Sequence, residues 1–194
     1  EQTYIGLSYT YSFKWYEGRP EDKDDQSHQV LFNLDHQFNE RYSVAVEDSF
    51  IYTQEPELAS GSGGTITDPT GRRTDASVLR NRGRVSGRGD FTEQIGAQLA
   101  YQNTYFDYDQ TGFAGSRSAL LDRMEHLVDI AGRYQARPNT TALLGYQFGS
   151  IGYNGDDQLY APTPADPAPP TSSDRDNVSH YFYVGAERMI SRTT

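Results

Sequence analysis

The chain has 194 residues, a formal net charge of −10 and no cysteine, which excludes disulfides, thiolate metal sites and cysteine nucleophiles. Leu, Ile, Val and Phe make up only about 19% of the residues, close to the level that indicates disorder, yet aromatic residues reach 13%. An acidic chain is a poor general nucleic-acid binder, so we expect no nucleic acid among its partners. No apolar run approaches the ~18–20 residues of a membrane helix.

Alternation of apolar and polar residues with period two dominates the chain and predicts β-strands. The segment from Ser118 to Tyr134 also fits the spacing of an amphipathic helix, but we favour a strand there because its neighbours are strands. The predicted strands cover residues 4–15, 29–38, 42–52, 78–87, 91–105, 120–134, 142–149 and 178–187.

The connections alternate between short and long. Tight turns are predicted at 39–41, 87–90 and 137–139, and long polar loops at 17–26, 54–75, 110–117 and 156–176. The last loop contains a proline-rich stretch that we expect to be extended or disordered. The pattern predicts one domain over residues 1–194, with four up-down hairpins, all long loops at one end and all short turns at the other.

Strands of roughly 10–16 residues exceed the ~5–6 of ordinary soluble sheets and are long enough to cross a membrane. Aromatic residues cluster toward the strand ends, as in the aromatic girdles of membrane barrels. We therefore predict an all-β fold, an antiparallel up-and-down transmembrane β-barrel. A soluble β-sandwich would alternate in the same way and is the alternative. The candidates for a lipid-facing aromatic girdle are Tyr9, Tyr11, Trp15, Tyr42, Tyr52, Tyr101 and Tyr105.

Several stretches resemble outer-membrane β-barrel proteins of porin type from Gram-negative bacteria. They are Gly96–Tyr108 (GAQLAYQNTYFDY), Ser118–Val128 (SALLDRMEHLV), Thr140–Gly149 (TTALLGYQFG) and Asp176–Glu187 (DNVSHYFYVGAE). The resemblance implies a barrel in the bacterial outer membrane, with long loops extracellular and short turns periplasmic. Members of that family are longer, so we expect this chain to be a segment of a larger barrel, with a complete eight-stranded barrel as the alternative.

Charged and amide side chains on the polar faces of the predicted strands are candidates to line a lumen. They could bias which solutes pass, as charged rings do in pores, or they could be ion-paired and fill the interior of a narrow barrel. The lumen-lining candidates are Arg80, Arg82, Arg84, Glu47, Arg123, Glu125, Asp129, Arg133, Gln98 and Gln102.

Metal binding and catalysis have weak candidates only. Asp22, Asp24 and Asp25 in an acidic run are weak candidate ligands for a divalent cation, but the run lacks EF-hand spacing and a solvated charge run is the favoured explanation. A barrel hydrolase would need a serine beside a histidine, for example Ser150 or Ser179 beside His126. We predict no enzyme activity, no catalytic residue and no resident cofactor.

The function predicted from these features is a porin-like channel for passive diffusion of small polar solutes. The alternative is a structural or surface-interaction barrel with a plugged interior and no transport activity. The expected partners are membrane lipid and lipopolysaccharide, with a second copy of the chain or an envelope protein as a further partner.

Overall fold

A computed structural model describes residues 2–18, 24–54, 77–155 and 157–188. The fold is all-β: eight antiparallel strands form one sheet in the order β1 to β8, each hydrogen-bonded to the next strand along the chain. The strands are β1 (Gln2–Trp15), β2 (Asp24–Gln37), β3 (Tyr42–Thr53), β4 (Val78–Asp90), β5 (Ile95–Tyr108), β6 (Arg123–Arg137), β7 (Thr140–Tyr153) and β8 (Asn177–Arg188). The predicted up-down order of eight strands is confirmed.

Three short turns connect strands at one end of the sheet, at residues 38–41, 91–94 and 138–139. Side-chain caps hold two of them: the Asn39 carboxamide oxygen accepts from the backbone N–H of Arg41 at 2.8 Å, and Thr92 Oγ1 accepts from that of Ile95 at 2.9 Å. The tight turn predicted at 87–90 is wrong, because those residues belong to β4 and pair with β5. The glycines that indicated a turn lie instead in the strand.

The longer connections all leave from the opposite end, here called the long-loop end. The predicted loop 17–26 is shorter than expected, because β2 already begins at Asp24. Most of the predicted loop 54–75 lies outside the described residues.

The segment 118–134 contains both structures that its pattern allows. A short helix, α1 (Arg117–Leu121), precedes β6, which begins at Arg123. Ser116 starts the helix, because its hydroxyl accepts from the backbone N–H of Ala119 at 3.0 Å. No helix in the described segments is long and apolar enough to cross a membrane.

The strand register keeps apolar residues on one face of the sheet across all seven pairings. This apolar face is exposed: Leu7, Leu144 and Val184 keep 74%, 68% and 82% of their surface accessible. The described chain buries only five apolar side chains: Ile51, Val78, Ala100, Ala119 and Ala131. The sheet therefore has no conventional hydrophobic core.

The described sheet is open, since no pairing of described residues joins β1 to β8. It is also staggered. Following the seven pairings from Gly6 leads to Ser179. Gly6 lies nine residues before the end of β1 at Trp15, whereas Ser179 lies two residues after the start of β8 at Asn177. The stagger is thus about one residue per strand, which corresponds to a strand tilt of about 35°, as in closed barrels.

On the polar face, the side chain of one tyrosine reaches over a neighbouring strand to the strand beyond it. The Tyr183 ring of β8 lies over Gly145 of β7, and its hydroxyl donates to the carboxylate of Asp129 on β6 at 3.1–3.2 Å. A Cβ at position 145 would overlap that ring. Gly145 is therefore the position that lets three strands be tied together by one side chain.

We predict that Gly145→Ala destabilises the sheet by about 1–2 kcal/mol, because the ring is displaced and the hydrogen bond to Asp129 is lost. Gly152→Ala is the matched control, since Gly152 lies on the same strand and has open space around it. Urea unfolding in detergent, followed by circular dichroism, measures both. Equal stability of the two variants would contradict this role of Gly145.

Candidate functional site

The polar face of the sheet brings together every residue predicted to line a lumen. The pairings place Glu47, Arg80, Arg82, Arg84, Gln98, Gln102, Arg123, Glu125, Asp129 and Arg133 on this one face. The candidate girdle residues all lie on the opposite, apolar face. The two predicted sets are therefore segregated by the sheet, as a channel wall requires.

Four arginines lie on the polar face of β4 and form what we call the arginine stripe: Arg80, Arg82 and Arg84 at alternate positions, and Arg88 beyond Ser86. Arg82 donates through Nη2 to the Gln102 carboxamide oxygen at 2.8 Å. Arg84 lies opposite Glu47 on β3, but among the described residues no ion pair or hydrogen bond joins Arg84 to a carboxylate. The stripe thus contains guanidinium groups whose charge no described carboxylate neutralises.

Other charges on the polar face are paired. Arg123 Nε contacts Glu125 Oε1 at 2.6 Å, and the Arg123 guanidinium lies 4.0 Å from the centre of the Phe106 ring. Asp90 contacts Arg88 Nη2 at 3.1 Å and Arg133 Nη1 at 3.8 Å. These pairs stiffen the wall at β5–β6 and at the short-turn end.

Two loops pack against each other at the long-loop end and form what we call the loop cap, residues 109–122 and 157–176. Asp157 Oδ2 accepts from the Ser116 hydroxyl and from the backbone N–H of Gly112, both at 2.8 Å. From the second loop, Ser172 Oγ donates to the backbone oxygen of Ala119 at 2.6 Å. Ser116, Ala119 and Ser172 are fully buried, so the cap has a small packed centre of its own.

The loop cap lies on the polar side of the sheet. Arg175 Nη2 donates to the backbone oxygens of Ala119 and Leu120 at 2.9 and 2.8 Å, and its guanidinium stacks 4.0 Å from the ring centre of Tyr153. Tyr153 pairs with Arg123 and therefore belongs to the polar face. The Asp122 carboxylate accepts from the backbone N–H of Tyr108 at 2.7 Å. These contacts draw both loops over the end of the polar face.

The loop 156–176 is therefore not the featureless segment that its proline content predicts. Leu159 N–H donates to Pro170 O at 3.0 Å, and the Tyr160 hydroxyl donates to Asp166 Oδ2 at 2.5 Å. That hydrogen bond raises the pKa of the exposed Tyr160 hydroxyl. A 3₁₀ turn at Ser172–Arg175 completes the segment, and Thr171 with Asp174 forms its capping box. The spacing of Thr171 and Asp174 is typical of a capping box and could have been recognised in the sequence, but it was not used to predict this loop.

Exposed aromatic residues form two belts on the apolar face. The belt at the long-loop end contains Tyr11, Trp15 and Tyr52, with the half-buried Tyr105. Tyr9 and Tyr101, also predicted for the girdle, lie instead near the middle of β1 and β5. Tyr42 lies instead at the short-turn end, with the exposed side chains of Phe38, Phe91 and Tyr134. Tyr42 and Phe91 both lie over Gly89. Two belts, rather than one, therefore border the apolar face.

Three tyrosine–histidine pairs repeat on this face with one geometry. In each pair a tyrosine hydroxyl lies 2.7–2.8 Å from a histidine Nδ1 on the next strand. The ring centroids are 6.1–6.2 Å apart and nearly parallel. The pairs are Tyr9–His28, Tyr101–His126 and Tyr146–His180. Each histidine is the fourth or fifth residue of its strand, so the pairs mark the same end of three hairpins.

The structure does not assemble the weak metal candidates. Asp24 and Asp25 are consecutive strand residues and point to opposite faces, so they do not converge on one ion. Asp22 lies outside the described residues. Within the described ranges no group of three or more potential ligands occurs.

The structure brings one of the two serine–histidine candidates together and separates the other. Ser150 lies opposite His126 on the apolar face, while the His126 Nδ1 atom is 2.8 Å from the Tyr101 hydroxyl. Ser179 lies on the polar face, paired with Gly149.

Comparison of this chain with protein-family models, with curated proteins and with solved structures gives no match. The resemblance to porin-type proteins therefore remains a prediction.

We predict that Arg175→Met loosens the loop cap, because it removes both hydrogen bonds to α1 and the stacking on Tyr153. Backbone amides of residues 119–122 are expected to exchange with deuterium about tenfold faster, the equivalent of about 1.4 kcal/mol. Arg188→Met, an exposed site at the other end of the sheet, is the control and is expected to leave these amides unchanged. Unchanged exchange in Arg175→Met would show that the cap is held by other contacts.

Proposed function

We propose that this sheet is the wall of a bacterial outer-membrane β-barrel whose polar face lines a channel for passive diffusion of small polar solutes. One observation carries this proposal: a continuous, exposed apolar face backs a continuous polar face over all eight strands. In water such an apolar surface far exceeds the few hundred Å² that monomers leave exposed. In lipid it is the solvated side of the protein.

The spacing of the two aromatic belts supports a membrane location. Tyr42 and Tyr52 are ten residues apart on β3, and Tyr134 is ten residues from Met124, the partner of Tyr105. Ten residues span about 33 Å along a strand, or about 27 Å of height at a 35° tilt. The apolar band of outer-membrane barrels is about 25 Å tall. The belts therefore fit the two borders of one such band.

Three carboxylates lie on the apolar face: Asp24 and Asp107 near the long-loop ends of β2 and β5, and Asp48 in the middle of β3. Asp48 on β3 accepts two contacts from the Asn81 carboxamide nitrogen, at 3.0 and 3.2 Å. It is four residues from Tyr52 of the long-loop belt. Four residues correspond to about 11 Å of height at the same tilt, so Asp48 lies near the middle of the apolar band, and its cost in lipid is reduced by its hydrogen-bond partner.

Both edges of the described sheet need partners in lipid, where each unpaired backbone group costs several kcal/mol. Pairing of β1 with β8 in the same chain would close an eight-stranded barrel, whose interior is filled by side chains. Pairing of β8 with β1 of a second copy would continue the up-down order in a wider barrel. The channel proposal requires additional strands of this kind.

The loop cap favours a second candidate function. It covers part of the polar face, and paired charges such as Arg123–Glu125 help to fill the interior. An eight-stranded barrel with this filling would be plugged. Such a protein would serve as a structural or surface-interaction barrel whose extracellular loops and lipopolysaccharide contacts carry its role.

Conductance in planar lipid bilayers tests the channel. We expect the purified protein to insert and give stepwise conductance, and Arg175→Met to raise the step size because the cap is loosened. A protein that inserts but stays silent would favour the structural barrel. A need for detergent and heat-modifiable migration on a gel are the controls for insertion, and a monomer soluble without detergent would contradict both membrane proposals.

Cysteine pairs test how the edges are completed, because the chain has no cysteine of its own. Continuing the stagger of one residue per strand brings Gly185 of β8 opposite Ser8 of β1. If the chain closes on itself, Gly185→Cys with Ser8→Cys forms a disulfide within one chain. If copies share a barrel, the same pair gives a covalent dimer. Gly6→Cys and Thr10→Cys test the neighbouring registers.

A further inference from the structure

We propose that Arg82 and Arg84 of the arginine stripe form a binding site for small oxyanions, which makes the channel prefer anions over cations. This inference rests on the proposed channel for its transport consequence. The site itself is defined by residues of one strand and its two neighbours.

The stripe has a regular geometry. Arg80, Arg82 and Arg84 occupy alternate positions on the polar face of β4, so their side chains leave the backbone about 7 Å apart. Arg82 is exposed and Arg84 is half-buried on that face. Two guanidinium groups are thus presented side by side, at a distance that a phosphate or carboxylate can bridge.

The residues flanking this pair are mostly neutral. Arg82 pairs with Ser49 and Thr104, and Arg84 pairs with Glu47 and Gln102. Glu47 is the single charged residue among these four neighbours, and it makes no ion pair with Arg84. Two arginines therefore face one carboxylate, which leaves a net positive site in a chain of net charge −10.

The neighbours also supply suitable hydrogen-bond groups. The Ser49 hydroxyl can donate, and so can the second N–H of the Gln102 carboxamide. The Gln102 oxygen already accepts from Arg82, and its nitrogen donates to the buried Thr104 hydroxyl at 3.5 Å. Planar guanidinium groups bind carboxylate and phosphate through paired N–H donors. The donors around Arg82 and Arg84 thus match an oxyanion better than a chloride ion.

The paired arginines of the same face differ in this respect. Arg123 contacts Glu125 at 2.6 Å, and Arg88 contacts Asp90 at 3.1 Å. A guanidinium held by a carboxylate has few donors left for a solute. The preference for anions is therefore placed at Arg82 and Arg84 rather than along the whole polar face.

The reversal potential of reconstituted channels under a potassium chloride gradient tests the preference. We expect an anion-favouring potential, and we expect Arg82→Gln/Arg84→Gln to reduce the anion-to-cation permeability ratio. The reduction is about fivefold for each guanidinium removed, the factor that Coulomb's law gives for unit charges about 4 Å apart in water. Arg137→Gln/Arg188→Gln removes the same charge at exposed positions near the short turns and is expected to leave the ratio unchanged.

Equilibrium binding of inorganic phosphate to the detergent-solubilised protein tests the site without a channel. Calorimetry at fixed ionic strength compares the unsubstituted protein with the two double variants, and acetate in a second titration separates carboxylate from phosphate binding. We expect phosphate binding that only Arg82→Gln/Arg84→Gln abolishes.

The two measurements separate the outcomes. A cation-preferring channel, or an anion preference that survives in Arg82→Gln/Arg84→Gln, would overturn the inference while the channel stands. Silent bilayers together with phosphate binding at the stripe would overturn the channel while the oxyanion site stands. Silent bilayers without phosphate binding would overturn both.

Discussion

No described part of the chain covers the apolar face of the sheet, and the rest of the described structure depends on this one constraint. A β-sheet in a globular domain buries one face against a second layer. Here the exposed face runs across all eight strands, and only five apolar side chains in the described chain are buried. The low aliphatic content therefore reflects the absence of a core rather than the absence of a fold.

Backbone pairing replaces the core as the main source of order. Seven antiparallel ladders join strands of 12–15 residues, with a single register shift between Gln135 and Arg137. Side chains reinforce the ladders across strands: Tyr183 reaches Asp129 over Gly145, and the tyrosine–histidine pairs tie neighbouring strands on the apolar face. These contacts join strands that are adjacent or one strand apart, so they would stabilise a sheet with any number of strands. They do not determine whether the two edge strands pair with each other.

Period-two alternation made the fold predictable in the strands whose two faces differ from each other, one apolar and one polar. The eight strands, their order and the two sets of candidate residues follow from it, because a one-residue slip would move every side chain to the wrong face. The prediction of a turn at 87–90 failed because its glycines do not form a turn. Gly87 and Gly89 are strand residues on the apolar face, and the chain turns only at residues 91–94. The segment after Arg117 was ambiguous because it holds a helical turn and a strand in succession.

The loop cap and the second aromatic belt depend on contacts between distant residues. Ser172 and Ala119 are 53 positions apart, and nothing in either local sequence indicates that they meet. Phe38 and Phe91 are the first residues of two short turns. Strand periodicity alone therefore did not assign them to the belt with Tyr42. Local patterns predict elements and faces, whereas sites formed between loops require the tertiary structure.

Charge on the polar face is arranged by strand, and this arrangement decides between a passive wall and a selective one. Glu125 pairs with one arginine and Asp90 with two, Arg88 and Arg133, so these carboxylates offset part of the arginine charge around them. The centre of β4 differs, because Arg82 contacts a neutral amide and Arg84 lacks a described carboxylate partner. A buried interior would disfavour such unpaired charges. In the proposed channel these charges would lie in a water-filled lumen, which would require a barrel wider than eight strands.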